Sequence, residues 1–373
     1  MDIYNYFNHF VSNTYAGSGN QFFFTMPKEE IRCGRVFYQI TEGGTYRYSV
    51  LFSNMMDSTY ENGSVSQKNI ICAPWKIHSA KIGRCKNIPA NKELSELVID
   101  EDILVTDFSD ITFDGKVTKE INNGEMFSSD PVECSFQKGE YLCLEISFSG
   151  TQIPYHEETL LPVFVKHKDG WKYDKKMPFA SMIGCDRKVT WKIGYFGDSI
   201  TQGIGTKENS YLHWNALLSE KLGNQYSYWN FGLGYGRAND AASDGVWMEK
   251  AKKNDIIFVC FGVNDLLQGF SEEQIKSDLI HIVDTFKKEN KKVILQTLPP
   301  FDYQGEMIGK WNQINLFIKN QLKNKVDFLF DAASLLGVDG APQNAKFGGH
   351  PNEEGCKIWA DTLYDALKEN NIL

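Results

Sequence analysis

The sequence lacks the features that would make it a membrane protein, a disulfide scaffold or a nucleic-acid binder. No stretch approaches the roughly 20 consecutive apolar residues that a bilayer-spanning helix needs. The opening residues, Met1-Asp2-Ile3-Tyr4-Asn5-Tyr6-Phe7, form no basic n-region followed by an apolar core, so no secretory signal is expected. Its eight cysteines (Cys33, Cys72, Cys85, Cys134, Cys143, Cys185, Cys260 and Cys356) are scattered, without a CxxC pair or zinc-ligand spacing. A chain of 373 residues does not need disulfide staples. The expectation is therefore reduced, mostly buried thiols in a cytoplasmic protein; a leader removed ahead of Met1 would make it a secreted one. Positive charge is in deficit: 39 Lys and Arg stand against 48 Asp and Glu, a net charge of −9. That balance argues against nucleic acid and against an anionic membrane surface as partners, since both need a basic face. No P-loop is present, and Gly232-Leu233-Gly234-Tyr235-Gly236 is too closely spaced for a dinucleotide fingerprint. The histidines, His156 beside Glu157 and Glu158 included, form no metal-ligand spacing, so neither a cofactor nor a metal is expected.

What is present is enough for two globular cores. The composition is 42% hydrophobic and 23% charged, and the length exceeds that of one typical domain. Two textures divide the chain, with a boundary near Ala180 to Lys188 and domains of 1–188 and 189–373. In the first, short apolar or alternating runs such as Gly34 to Ile40, Tyr46 to Phe52, Asp110 to Phe113 and Tyr141 to Phe148 are separated by turn residues. Asn122-Asn123-Gly124 and Gln137-Lys138-Gly139-Glu140 read as turns. This spacing predicts an all-β sandwich.

From Trp191 the rhythm becomes strand, loop, helix. Strands are expected at Trp191 to Phe196, Tyr226 to Phe231, Asp255 to Gly262, Lys292 to Thr297 and Val326 to Phe330. Helices are expected near Tyr211 to Leu222, Ala241 to Lys252, from Ser271, Trp311 to Leu322 and Asn352 to Glu369. The alternation implies an α/β domain: a parallel five-stranded sheet with helices on both faces, its chemistry in loops at the carboxyl ends of the strands.

Those loops carry a set of groups suited to acyl transfer. After the first strand comes Gly197-Asp198-Ser199-Ile200-Thr201-Gln202-Gly203, whose Ser199 offers a hydroxyl and a backbone N–H near a helix start. After the second comes Asn230 to Gly236, a glycine loop that lets main-chain N–H groups approach a ligand. Gly262-Val263-Asn264-Asp265 follows the third and offers the Asn264 amide, and Gly348-Gly349-His350-Pro351-Asn352 precedes the last helix and offers an imidazole. Asp198 and Asp265 read as structural, and Arg237 as salt-bridged. Trp214 and Trp311 lie in helical stretches, where core packing is the default reading over stacking on a sugar.

In order and in phase with the strands, these blocks resemble the SGNH hydrolases, or GDSL esterases, over roughly Lys192 to Leu367. The resemblance implies a flavodoxin-like α/β/α catalytic domain. It assigns the nucleophile to Ser199, the base to His350, and the oxyanion hole to Ser199, Gly234 and Asn264. The runs Ser128 to Val132 and Gly139 to Ile146 resemble the jelly-roll-like β-sandwich that precedes the catalytic domain in some two-domain members, several of them carbohydrate deacetylases. The implied function is a serine esterase for short acyl groups, acetyl first, on a small-molecule or carbohydrate ester. An acyltransferase using the same site, or a decayed carbohydrate-binding protein, are the alternatives. One departure stands out: the aspartate usual three residues before the histidine is Phe347 here. Its backbone carbonyl orients His350 in a dyad, or an acid such as Asp339 reaches in, or the site is inactive.

Overall fold

The computed structural model describes residues 3–61, 65–338 and 340–373, which divide into two units. The first comprises Met1–Asp57, Gln67–Lys188 and Glu208–Ser210; the second comprises Ser58–Ser66, Val189–Lys207 and Tyr211–Leu373. Two segments are thus exchanged across a cut near residue 188. Glu208 joins the first unit through Tyr173 (2.7 Å) and Lys175 (2.8 Å), while the Ser58 hydroxyl joins the second through the Asp240 carboxylate.

The first unit is all-β, built from two antiparallel sheets. One is centred on Gly44–Ser53, which pairs with Ala180–Cys185, Met126–Ser128 and Val132–Phe136. The other runs Gly170–Tyr173, Val163–His167, Arg32–Gln39, Tyr141–Gly150, Trp75–Cys85, Val105–Ile111. Inner-face aromatics join them: Phe52 of the first sheet lies 6.4 Å from Trp75 of the second, and Trp75 lies 6.1 Å from Phe127. Edge-to-face and tilted pairs of this kind suit the ring quadrupoles and interlock the layers. Both expected turns are present, with Gly124 at φ 63 and Gly139 at φ 87 in the left-handed region that glycine tolerates. A short helix, Ile3–His9, was not legible from the apolar pattern.

The second unit holds a parallel five-stranded sheet in the order Tyr226–Gly232, Trp191–Gly197, Ile256–Cys260, Lys292–Gln296, Phe328–Phe330. In chain order that is 2-1-3-4-5, the flavodoxin-like arrangement, whose crevice lies at the carboxyl ends of the strands. Successive strand residues point to opposite faces. Tyr195 accordingly meets Trp214 at 5.3 Å, whereas Phe196 meets Trp247 at 4.8 Å and Phe286 at 5.8 Å, so helices cover both sides. Helix Glu353–Glu369 buries Cys356, Trp359, Ala360, Leu363 and Leu367 along one stripe, and Trp359 stacks on Trp214 at 4.8 Å and 9°. Each fully buried leucine in such a stripe contributes about 1.5–3 kcal/mol.

The expected helices are present with shifted bounds, for identifiable backbone reasons. Trp214–Leu222 starts late because Tyr211 sits at φ 55 and His213 is an extended N-cap. Ala241 to Lys252 is two helices, Ala238–Ala241 and Val246–Ala251, interrupted where Asp244 turns left-handed at φ 54. Glu306–Phe317 continues as a wider π turn, Ile318–Leu322. Ser271 and Asn352 act as caps, accepting from the N–H groups of Gln274 (3.2 Å) and Gly355 (2.9 Å). Among the described residues, no helix is long and apolar enough to cross a membrane.

Candidate active site

The crevice is assembled from the ends of strands that are far apart in sequence. Strand Trp191–Gly197 delivers Asp198, an extended N-cap whose Oδ1 accepts the N–H of Ile200 at 3.0 Å, and the short helix Ser199–Gln202 follows at once. That helix lies directly on the strand ends. A Cβ on Gly232 would run into the backbone of Thr201 and Gln202, and one on Gly197 into the Thr201 side chain. Glycine is therefore required at both positions for steric reasons. Ser199 is buried at 8% exposure, with its hydroxyl turned toward the histidine.

His350 comes from a tight hairpin. Ala345–Phe347 pairs with His350–Pro351 across the two-residue turn Gly348-Gly349, Phe347 opposite His350, with Gly348 at φ 59. This brings Nε2 of His350 to 2.8 Å from Oγ of Ser199, although the two are 151 residues apart. The distance is that of a normal hydrogen bond and suits proton transfer.

The other ring nitrogen is less well served. Nδ1 of His350 is buried and makes no hydrogen bond of ordinary geometry among the described residues. The Phe347 carbonyl favours the protonated ring, but burial outweighs it and pushes the imidazole down to about 4. The Phe347 carbonyl is thus the one acceptor that bears on this side of the ring among the described residues. Asp339, an alternative orienting acid, lies outside the described residues. Asp198 and Asp265 are buried and do not orient the ring. Asp265 accepts the N–H groups of Ala238 (2.9 Å) and Asn239 (3.2 Å). Burial pushes both carboxyls up to about 7, each opposed by the amides it accepts.

Asn264, in helix Val263–Leu267, is buried at 8% exposure and donates one Nδ2 hydrogen to the Gly236 carbonyl at 2.9 Å. That bond ties it to the glycine loop and leaves the second amide hydrogen for other use. Gly234, expected in the oxyanion hole, makes a hydrogen bond within the protein. Its N–H donates to Oε1 of Gln202 at 2.5 Å, so while that bond is made it cannot also face an oxyanion. Beside it Tyr235 sits at φ 63, a left-handed conformation uncommon for a bulky residue, with its side chain 36% exposed. Gln202 was overlooked as a site residue, although it lies in the nucleophile block itself. Arg237 is fully buried and committed to Asp240 (2.6 and 2.7 Å) and Gln268 (2.9 Å). Trp214 and Trp311 are core residues, the latter donating Nε1–H to the Leu298 carbonyl at 2.9 Å.

The sequence reading also missed an aromatic contact. Phe301, in the loop after strand Lys292–Gln296, lies 5.2 Å from the His350 ring at 75°, and Phe347 lies 4.5 Å from it at 39°. Phe347 is 55% exposed, so its ring also faces solvent at the mouth of the site.

Several solved structures are similar to this chain. A GDSL-like lipase from Bacteroides thetaiotaomicron is 18% identical with a TM-score of 0.38, covering 48% of this chain and 88% of its own. An acetyl xylan esterase is 22% identical with a TM-score of 0.39, covering 47% and 99%. A family two carbohydrate esterase from Clostridium thermocellum, solved with cellohexaose, is 13% identical with a TM-score of 0.40, covering 94% and 98%. No curated protein sequence matches the chain. Residues 195–358, which include Ser199, Asn264 and His350, match the GDSL-like Lipase/Acylhydrolase family. The C-terminal half is a GDSL-like acylhydrolase domain, and the chain that carries it is an ester-bond hydrolase.

Proposed function

We propose that the protein is a serine esterase working through a Ser199–His350 dyad, with an acetyl or other short acyl ester of a carbohydrate as its substrate. The observation that carries this reading is the 2.8 Å contact between Ser199 Oγ and His350 Nε2. In the first half-reaction Oγ attacks the acyl carbon while Nε2 takes its proton. The oxyanion is held by the second Nδ2 hydrogen of Asn264 and by the N–H of Ser199, a first-turn position where no intrahelical acceptor exists. Collapse breaks the bond to the alcohol, which leaves with the proton from His350. Water, deprotonated by the same nitrogen, then cleaves the acyl-enzyme and regenerates Ser199. Gly234 keeps the second loop in place through Gln202. The half-exposed rings of Tyr235 and Phe347 support a leaving group with flat apolar faces and polar edges, which a sugar ring has. The short acyl group follows from the resemblance to two-domain GDSL esterases.

Hydrolysis of p-nitrophenyl acetate followed against pH tests the reading. The base must be neutral to accept the Ser199 proton, and burial holds His350 at about 4. kcat/KM is therefore expected to stay level from neutral pH down to about 5 and to fall through pH 4 as the ring protonates. An acidic limb near the ordinary histidine value of about 6.5 would contradict the buried neutral imidazole. Absence of turnover on any ester from acetate to butyrate would remove the esterase reading.

A further inference from the structure

An imidazole can serve Ser199 only if rotation about its own χ2 is held, because that torsion decides whether Nε2 or a ring carbon faces the hydroxyl. χ2 of histidine is broad and roughly two-fold in its intrinsic preference. A hydrogen bond from Nδ1 to a carboxylate is the usual restraint. Here Nδ1 faces no carboxylate among the described residues, only the neutral Phe347 carbonyl at poor geometry, so packing must share in holding the ring.

The candidate is Phe301. Its ring stands nearly perpendicular to the imidazole, 5.2 Å centroid to centroid at 75°. It also packs on the turn that carries the histidine. A Cβ at Gly348 would lie 2.7 Å from Phe301 Cζ, and one at Gly349 would lie 2.6 Å from Phe301 Cδ2. On another side, a Cβ at Gly205 would come within 3.1 Å of His350 Cβ. The histidine is thus gripped between the Gly205 backbone and the Phe301 ring. Phe301 is itself anchored through its loop. Leu298 receives hydrogen bonds from Trp311 Nε1 (2.9 Å) and Asn315 Nδ2 (3.1 Å) at its carbonyl, and gives its N–H to Asn315 Oδ1 (2.8 Å). Tyr303, two residues beyond Phe301, is buried against Trp311 at 6.2 Å.

We propose that Phe301 is a positioning residue that holds the His350 ring so that Nε2 faces Ser199, in the role a carboxylate hydrogen bond would otherwise play. The proposal rests on the dyad reading above. Phe347, more than half exposed, is the less constrained of the two rings.

The test uses the full chain with Phe301→Leu, Phe301→Tyr and Ser199→Ala, assayed on p-nitrophenyl acetate across pH, with thermal melts to establish folding. Misorientation of a catalytic group by about 1 Å costs on the order of 10²-fold. Phe301→Leu is expected to lower kcat by about that factor, to leave KM within about twofold, and to move the acidic limb upward as water reaches the ring. Phe301→Tyr keeps the ring and is expected to restore kcat and the limb. A folded Phe301→Leu protein with wild-type kcat and limb would overturn the proposal. So would a Phe301→Tyr protein that loses kcat as far as the leucine variant. If wild type and Ser199→Ala are equally active, the dyad reading itself fails, whatever the Phe301 variants do.

Discussion

Ser199→Ala is expected to lower kcat for ester hydrolysis by about 10⁴-fold or more while leaving the fold intact. The reason is chemical: without Oγ there is no acyl-enzyme, and His350 alone can only activate water from a site built for a bound oxygen. Removing the hydroxyl also leaves Nε2 without its 2.8 Å partner, but the ring stays packed against Phe301 and the glycine turn. Thermal stability should therefore change little, since Ser199 loses one modest hydrogen bond worth about 0.5–1.5 kcal/mol. Parallel steady-state kinetics and melts on the two proteins measure both quantities. A variant retaining more than about a tenth of wild-type kcat would rule out a serine nucleophile at this position.

Asn264→Ala is expected to cost about 10²–10³ in kcat, with KM changed by much less. The side chain has two amide hydrogens. One is fixed on the Gly236 carbonyl at 2.9 Å, which orients the other and spares any reorganisation when negative charge develops. This donor matters more because the Gly234 N–H is occupied by Gln202. A purely structural Asn264 would give a different pattern: a lower melting temperature and a raised KM, with kcat within about threefold of wild type.

Much of this site was legible in the sequence because of how parallel sheets are built. Strands covered on both faces read as unbroken apolar runs, and Tyr226–Gly232 is buried at every position. Their carboxyl ends are then marked by glycines, which points to Ser199 and Asn264 at one edge of one sheet, and the block before the last helix adds His350. The strand order 2-1-3-4-5 was not read from the chain, since local patterns do not say which strands become neighbours. Long-range side-chain contacts were harder still. Nothing in the alternation of residues 55–71 shows that Ser58 belongs with the second unit and finds Asp240 there. Gln202 carries no distinguishing signal within the nucleophile block, and only the fold reveals that it takes the Gly234 N–H.

Phe301 is an instructive omission. It follows Leu298-Pro299-Pro300 in the loop at the carboxyl end of the fourth strand, where the convergence rule applies as it does for the other loops. A phenyl ring carries no titratable group, so the sequence gives no chemical signal there. The absence of an acid at Phe347 was visible, but its consequence was not: His350 rests between aromatic rings, and burial holds it neutral.

The central claim is that Ser199 is the nucleophile and His350 its base. Covalent trapping tests it most directly: the full chain is treated with diethyl p-nitrophenyl phosphate, digested, and the modified peptide identified by mass spectrometry. The account predicts a single phosphoryl adduct on Ser199, absent from Ser199→Ala and formed far more slowly by His350→Ala. An adduct on another residue with Ser199 unmodified, or labelling at an undiminished rate in His350→Ala, would contradict it.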